Sequence, residues 1–322
     1  MRAVIIENNE VNFKETEVPV IKENQMLVEV ISAGINGADL LQKKGGYPAP
    51  KPWPQHIPGL ELSGKVKYIG SAVEDFQVGD FIMSIVGGGA QAELAVAEPE
   101  YSIKLPAGLN PIKAGGFCET FFTAFDALII RGKLNPGDEV LIVGAQGGVG
   151  TAGIQIAHAY GCRVTALTKN FDFKTRLTEI GANQVITDIG ENKYDVILDL
   201  ISGKGLSDRI SNLKTEGRYV VIGVGAGFKA ELNLLKLMEK RAVLTGATLR
   251  SRTKFEKQLV AEQIKRSLLK FIEEGKIDVI VHKTYSFTNA YQAYSDFENG
   301  GKLGKLILVN EKYSDAGRLN DN

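Results

Sequence analysis

The chain has only two cysteines, Cys118 and Cys162, among its 322 residues. They are too few for a disulfide scaffold and match no paired-ligand spacing, which points to a reducing compartment, the cytoplasm. Histidine is as scarce. His56, His158 and His282 are scattered, so a closed zinc site is not available. No apolar run approaches the roughly 18–20 residues that span a bilayer as a helix. The opening stretch Met1–Glu10 is too short in apolar length and too acidic for a secretory signal, with Glu7 and Glu10 right behind its hydrophobic run. Net charge is absent as well, with 38 basic against 38 acidic side chains. That balance removes any global attraction to nucleic acid or to an anionic membrane and leaves only a local basic pocket open. Internal repeats and long low-complexity segments are also missing. The expectation is a soluble, intracellular chain without a metal.

What the chain does have is apolar bulk. Hydrophobic residues make up 44% of it, enough for two ordinary cores, so two domains are expected. The first hundred or so residues read as short strands broken by turns, such as Val28–Ile31, Gly64–Ile69 and Phe81–Ile85. Tyr47–Pro58 carries five prolines and reads as a loop. Near residue 120 strands and helices begin to alternate, the signature of βαβ units and a parallel sheet. Strands are expected at Val140–Val143, Arg163–Thr168, Gln184–Thr187, Asp195–Leu200, Arg218–Gly223 and Ala242–Thr248. Helices are expected at Val149–Tyr160, Phe173–Ile180 and Leu232–Lys240. A long amphipathic helix, Thr253–Glu274, follows, then a strand at His282–Phe287, a helix at Asn289–Glu298 and an apolar strand at Leu306–Val309. The fold class is α/β. A doubly wound, parallel-sheet nucleotide domain over 121–262 is inserted into a mainly β substrate domain, residues 1–120 completed by 263–309. Residues 310–322 are polar and read as a flexible tail.

The sharpest local signal is Val143-Gly144-Ala145-Gln146-Gly147-Gly148-Val149-Gly150, which follows an apolar strand and opens a helix. Glycines permit a tight turn and close approach of a pyrophosphate, and the helix N-terminus offers free N–H groups. The glycine order is G-x-x-G-G-x-G rather than G-x-G-x-x-G, and a ligand-free turn is the plain alternative. NAD enzymes usually end the second strand with an acidic residue that grips the ribose hydroxyls. Here that end reads Thr165-Ala166-Leu167-Thr168-Lys169-Asn170, with no carboxylate until Asp172. Thr168 and Lys169 suit a 2′-phosphate, with Lys174 a second candidate beside Arg176, so NADPH is the favoured coenzyme. The alternative is that these lysines merely solvate a helix start.

Several further pieces carry a resemblance that runs from Met1 to about Val309. They are Gly34-Ile35-Asn36-Gly37-Ala38-Asp39-Leu40-Leu41, Gly46-Tyr47-Pro48, Pro58-Gly59-Leu60-Glu61-Leu62-Ser63-Gly64, Val78-Gly79-Asp80, Thr123-Ala124-Phe125, Ala145–Gly150 and Gly304-Lys305-Leu306-Ile307-Leu308. The sequence resembles the zinc-independent quinone oxidoreductases, the zeta-crystallin-type branch of the medium-chain dehydrogenase/reductase superfamily. Leu249–Arg252 and the Gly87–Ala92 turn are similar to the tumour-suppressor-inducible members. The resemblance implies a GroES-like substrate domain and a Rossmann domain that binds NADPH. Zinc-dependent relatives carry a Cys where this chain has Asn36, and a His–Glu pair where it has Leu60-Glu61. The run Lys169–Lys174 is longer than is usual in the group.

Without zinc as Lewis acid, the fitting acceptor is already electrophilic: a quinone or another conjugated carbonyl that needs positioning and a hydrogen bond to the oxygen that gains charge. The resemblance places Tyr47 in the pocket, where its phenol would be that donor; packing under Trp53 is the alternative. Asn36 and Asp39 either orient substrate or nicotinamide ribose, or cap a nearby helix. Glu61 reads as a hydrogen-bonded buried acid. Thr123 either meets the nicotinamide amide or is an ordinary helix residue. Gly223-Val224-Gly225 either lets backbone approach the nicotinamide or is a plain turn. Leu249, Ser251 and Lys305 are carried over from the family as coenzyme contacts. A homodimer through an apolar edge strand near Ala242–Leu249 is the family expectation. The rival activity is alkenal or enoyl reduction. A role as a coenzyme- or RNA-binding crystallin-like protein with little turnover is the rival of another class, with nucleic acid disfavoured by the charge balance.

Overall fold

The computed structural model describes residues 1–169 and 171–314. The chain divides into two compact units. The first contains Met1–Glu119, Arg252–Glu273 and the chain from Asp278 onward; the second contains Thr120–Ser251 and Glu274–Ile277. The sequence pattern puts the return to the first unit at residue 263, but the structure puts it at Arg252. The reason is that the helix Lys254–Ser267 is fastened to the first unit from its opening turn. Lys254 Nζ lies 2.5 Å from Glu98, and Lys257 lies 5.9 Å from the Tyr101 ring centre. The expected single helix Thr253–Glu274 is also two, Lys254–Ser267 and Leu269–Glu273, joined at Leu268. No proline or glycine marks that break, so the apolar periodicity runs straight across it.

The first unit carries an antiparallel hairpin, Arg2–Glu7 with Glu10–Glu15, which the sequence expectations missed. Asn8 and Asn9 turn it with φ of 50° and 63°, left-handed values that asparagine tolerates. The main sheet has the order Val281–Ser286, Lys305–Val309, Met26–Ile35, Glu61–Ile69, Phe81–Ile85, Ser102–Lys104, and Leu94–Ala97 also pairs with Met26–Ile35. Met26–Ile35 is buried along its whole length and forms the spine of a core with Leu62, Ile82, Phe287, Tyr294 and Leu308. Lys305–Val309 runs antiparallel to it, Leu306 opposite Ile35. That register sets Lys305 beside Asn36, residues distant in sequence.

Residues 310–314, read from the sequence as part of a flexible tail, are tied down. Asn310 is buried, its N–H donates to the Ile31 carbonyl at 2.9 Å and its Nδ2 to the Val30 carbonyl at 3.0 Å. Lys312 pairs with Glu29. The remainder of that expected tail lies outside the described residues.

In the second unit six strands run parallel in the order Gln184–Ile186, Arg163–Leu167, Glu139–Val143, Tyr194–Asp199, Leu213–Val221, Val243–Gly246. In chain order this is 3-2-1-4-5-6, the doubly wound Rossmann arrangement, which reverses direction between its first and fourth strands. Val140–Val143 is buried throughout, as a strand covered on both faces should be. The α/β expectation holds, and its strands fall where the apolar runs stand.

Candidate functional site

The reversal point of the parallel sheet is where such folds hold ligands, because the chain leaves neighbouring strands in opposite directions there. The glycine-rich turn occupies it. Gly144 sits at φ 82°, and the N–H groups of Gly144 and Ala145 both donate to the Leu167 carbonyl, at 3.1 and 3.2 Å. Gly147 caps the helix Gly148–Ala159 in an extended conformation. A Cβ on Gly150 would stand 2.6 Å from the carbonyl oxygens of Gly144 and Ala145, so only glycine lets helix and turn close. The N–H groups of Gly148, Val149 and Gly150 belong to the first helical turn, which has no intrahelical acceptors for them. These features fit a dinucleotide diphosphate.

Two further turns from neighbouring strands pack in series beside it, the second against the first. A Cβ on Gly144 would meet Ile201 Cγ1 at 3.1 Å, and one on Gly223 would stand 2.0 Å from the Leu200 carbonyl. The close backbone approach at Gly223 is to Leu200. Val224 beside it is exposed. Asp199, fully buried at the end of its strand, organises the middle turn. It accepts from the N–H groups of Ile201 and Ser202 at 2.9 and 2.8 Å, from Arg209 Nη2 at 2.8 Å and from the Tyr219 hydroxyl. Burial works against the Arg209 charge, yet its contacts with Tyr219 and Asp199 hold its pKa above the ordinary value. The sequence reading missed this cluster; its one signal was an acid closing the apolar run Val196-Ile197-Leu198.

The expected 2′-phosphate ligands separate. Thr168 is buried and its hydroxyl donates to Gln146 Oε1 at 2.7 Å, so it braces the turn. Arg176 pairs with Glu179 at 2.8 Å. Lys174 lies 5.7 Å from the Phe171 ring centre. Lys169 is exposed and has no ion pair among the described residues, which leaves its charge free. Asn170 lies outside the described residues. Thr123 is half-buried on the helix Cys118–Phe125, Leu249 is buried and Ser251 is exposed.

The first unit gathers Asn36, Asp39, Glu61 and Lys305. Lys305 is 3% exposed and heads its strand with the ammonium inside the unit. It donates to the Ile35 carbonyl at 2.9 Å, Asn36 Oδ1 at 2.6 Å and Glu61 Oε1 at 2.7 Å. An ammonium has three protons, so none is left for a coenzyme, and the family-derived role of Lys305 is revised to a buried ion pair. Glu61, fully buried, also accepts from Asn36 Nδ2 at 3.0 Å and, on its other oxygen, from the Glu119 N–H at 2.8 Å. Both faces of the Asn36 amide are therefore dictated: its oxygen must meet the ammonium and its nitrogen the carboxylate. A Cβ on Gly34 would stand 2.4 Å from Glu61 Oε1, so the pair is sealed by a glycine. Tyr47 is half-buried on the proline-rich loop, and Trp53 packs against Gly87.

Asp39 takes the structural alternative. Its carboxylate accepts from the Asn36 N–H at 2.8 Å, at the start of the helix Gly37–Lys43, and from the Gly59 N–H at 3.0 Å. Complete burial nevertheless pushes its pKa up to about 6 from 3.8. Folded and unfolded chains both hold this proton below about 3.8, and between there and about 6 only the folded chain keeps it. The carboxyl's contribution to stability is thus fully present below the lower value and lost as pH rises through the upper one. The loss amounts to about 3 kcal/mol for this group. Urea unfolding of wild type and Asp39→Asn near about pH 4 and about pH 7 reads it. The wild type should lose that much relative to the variant on going to the higher pH, and parallel behaviour would refute the assignment.

Two family models match the chain: alcohol dehydrogenase GroES-like domain over residues 22–129, and zinc-binding dehydrogenase over 175–308. Rat quinone oxidoreductase is 31% identical over 307 residues, 91% of this chain and 91% of that protein. The chain belongs to the quinone oxidoreductase branch of the medium-chain dehydrogenase/reductases. An alcohol dehydrogenase superfamily protein from Novosphingobium aromaticivorans shares the fold with a TM-score of 0.85 at 27% identity, covering 97% of this chain and 100% of that one. The quinone oxidoreductase from Coxiella burnetii has a TM-score of 0.79 at 24% identity over 96% and 98%, a likeness of fold alone.

Membership makes this medium-chain dehydrogenase/reductase a nicotinamide-dependent oxidoreductase. Zinc, which the second family model names, does not fit its donor set. Both oxygens of Glu61 are engaged by Asn36, Lys305 and Glu119, and the neighbouring Asn36 and Leu60 offer no zinc-binding side chain. Among the described residues no group of three or more His, Cys, Asp or Glu could hold a metal ion. No helix among them is long and apolar enough to cross a membrane.

Proposed function

We propose that the chain reduces quinones with NADPH. The observation that carries this reading is the Lys305–Glu61 pair locked onto Asn36, where zinc-dependent relatives have a metal ligand. Bound NADPH would supply the hydride. The protein's part is to present hydrogen bonds to the acceptor oxygen, which suits a substrate that is electrophilic without a Lewis acid. The Tyr47 phenol is the donor in this reading, and Asn36, its amide fixed between Lys305 and Glu61, positions the acceptor beside it. The Gly144–Gly150 turn holds the diphosphate. Turnover with NADPH on an ortho-quinone, a para-quinone, a 2-alkenal and a simple ketone tests it. Quinones should be reduced fastest and the ketone not at all; a markedly higher rate on the alkenal would reassign the chain to conjugated C=C reduction.

The preference for NADPH rests on the absence of a carboxylate at the end of the second strand and on the free charge of Lys169. Lys169→Ala is expected to weaken NADPH about tenfold while changing NADH by less than about twofold. Titration of both coenzymes measures this, and equal losses would remove Lys169 as the phosphate ligand.

A homodimer completes the proposal. Val243 on the edge strand and Leu234, Leu235 and Met238 on the adjoining helix Leu234–Lys240 are exposed, at 52%, 63%, 61% and 71%. An unpaired strand edge next to apolar side chains is a surface that a second copy covers, and light scattering reads the result directly.

A further inference from the structure

The first unit carries a cavity of about 630 Å³, a size that takes a small organic molecule. It is separate from the residues assigned above, since Asn36, Tyr47, Glu61 and Lys305 do not line it. Its apolar lining comes from Pro52, Trp53 and Pro54 of the proline-rich loop, from Val18 and Val20 in the extended stretch before the main sheet, and from Leu94. Val18 and Val20 are 48% and 91% exposed, apolar surface that a ligand would cover.

The aromatic wall is in place before any ligand arrives. The Trp53 N–H donates to the Pro50 carbonyl at 2.9 Å, and Gln55 Nε2 donates to the Ala49 and Trp53 carbonyls at 2.7 and 3.0 Å. A Cβ on Gly87 would stand 2.2 Å from Trp53 Cδ1, so the indole packs directly onto that backbone. A ring fixed in this way, with prolines on both sides, gives an apolar surface that suits another aromatic ring at little cost in lost freedom.

The polar groups narrow the ligand further. Glu17 and Lys22 line the same cavity, and neither side chain has a hydrogen bond or ion pair among the described residues. A carboxylate only accepts and an ammonium only donates. A hydroxyl on the ring serves both, donating to the first and accepting from the second, whereas a carbonyl or an ether serves the ammonium alone. We propose that this cavity binds a flat hydroxyaromatic compound, a phenol or naphthol, with its ring on Trp53 and its hydroxyl engaged by Glu17 and Lys22. Hydroquinones belong to that class and quinones do not.

Trp53 is the chain's one tryptophan, so the indole N–H resonance of protein grown on isotope-labelled tryptophan reports this cavity. Titration without coenzyme uses 2-naphthol and 2-methoxynaphthalene, which has the same rings and no donor. The naphthol should shift the resonance saturably and bind about fivefold more tightly than the ether. Glu17→Ala, at an exposed position, should bring the two ligands level. A resonance that does not move, equal affinities in the wild type, or a preference that survives Glu17→Ala overturns the proposal. None of these outcomes depends on whether the chain binds NADPH or turns over a quinone.

Discussion

Lys305→Met is expected to lower the unfolding free energy by about 3–5 kcal/mol, the cost of leaving a buried carboxylate without its counter-charge. Glu61 is fully buried and Lys305 only 3% exposed, so water can neither screen the pair nor replace the lost partner. The Asn36 amide would lose its fixed orientation at the same time, because the ammonium is what holds its oxygen. Chemical denaturation gives the first effect. The neutral double variant Glu61→Gln with Lys305→Met gives the control, since removing both charges together should restore most of the stability. A single variant as stable as wild type would mean that the pair is not buried as described.

The second large effect is expected at the phosphate turn. Gly150→Ala places a methyl 2.6 Å from two carbonyl oxygens, and neither belongs to a flexible side chain. The helix start must move to relieve the clash. Overpacking of this kind typically costs about 1–3 kcal/mol, which corresponds to as much as about 100-fold in coenzyme affinity if the strain is expressed in binding. Fluorescence titration of reduced coenzyme reads the affinity, and the melting temperature without coenzyme reads how much strain the apo fold already bears. Full affinity in this variant would rule out the turn as the diphosphate site.

The parallel sheet was legible in the sequence because strands buried on both faces are spelled as unbroken apolar runs such as Val140–Val143, and because Gly144–Gly150 punctuates the first of them. Residues that bond across the fold were not. Glu61 and Lys305 are 244 positions apart and meet only because the last strand lies beside Met26–Ile35. Their one local trace is a lysine heading the buried run Leu306–Val309, which implies a buried partner without naming it. The bond from the Thr168 hydroxyl to Gln146, on the turn itself, joins two residues 22 positions apart and likewise needs the fold to appear. The hairpin Arg2–Glu15 has a weak sequence signature, because its turn is Asn8-Asn9 with no glycine.

The two cysteine sulfurs acquire a meaning under the proposed quinone activity. Cys118 is fully enclosed, and burial holds its thiol far from ionisation. Cys162 donates its proton toward the Asn135 carbonyl at 3.3 Å, and burial raises its pKa to about 11. Alkylation by a quinone requires an accessible thiolate. Neither cysteine offers one at neutral pH, so under the proposed quinone activity the chain would present its acceptor with no reactive thiolate.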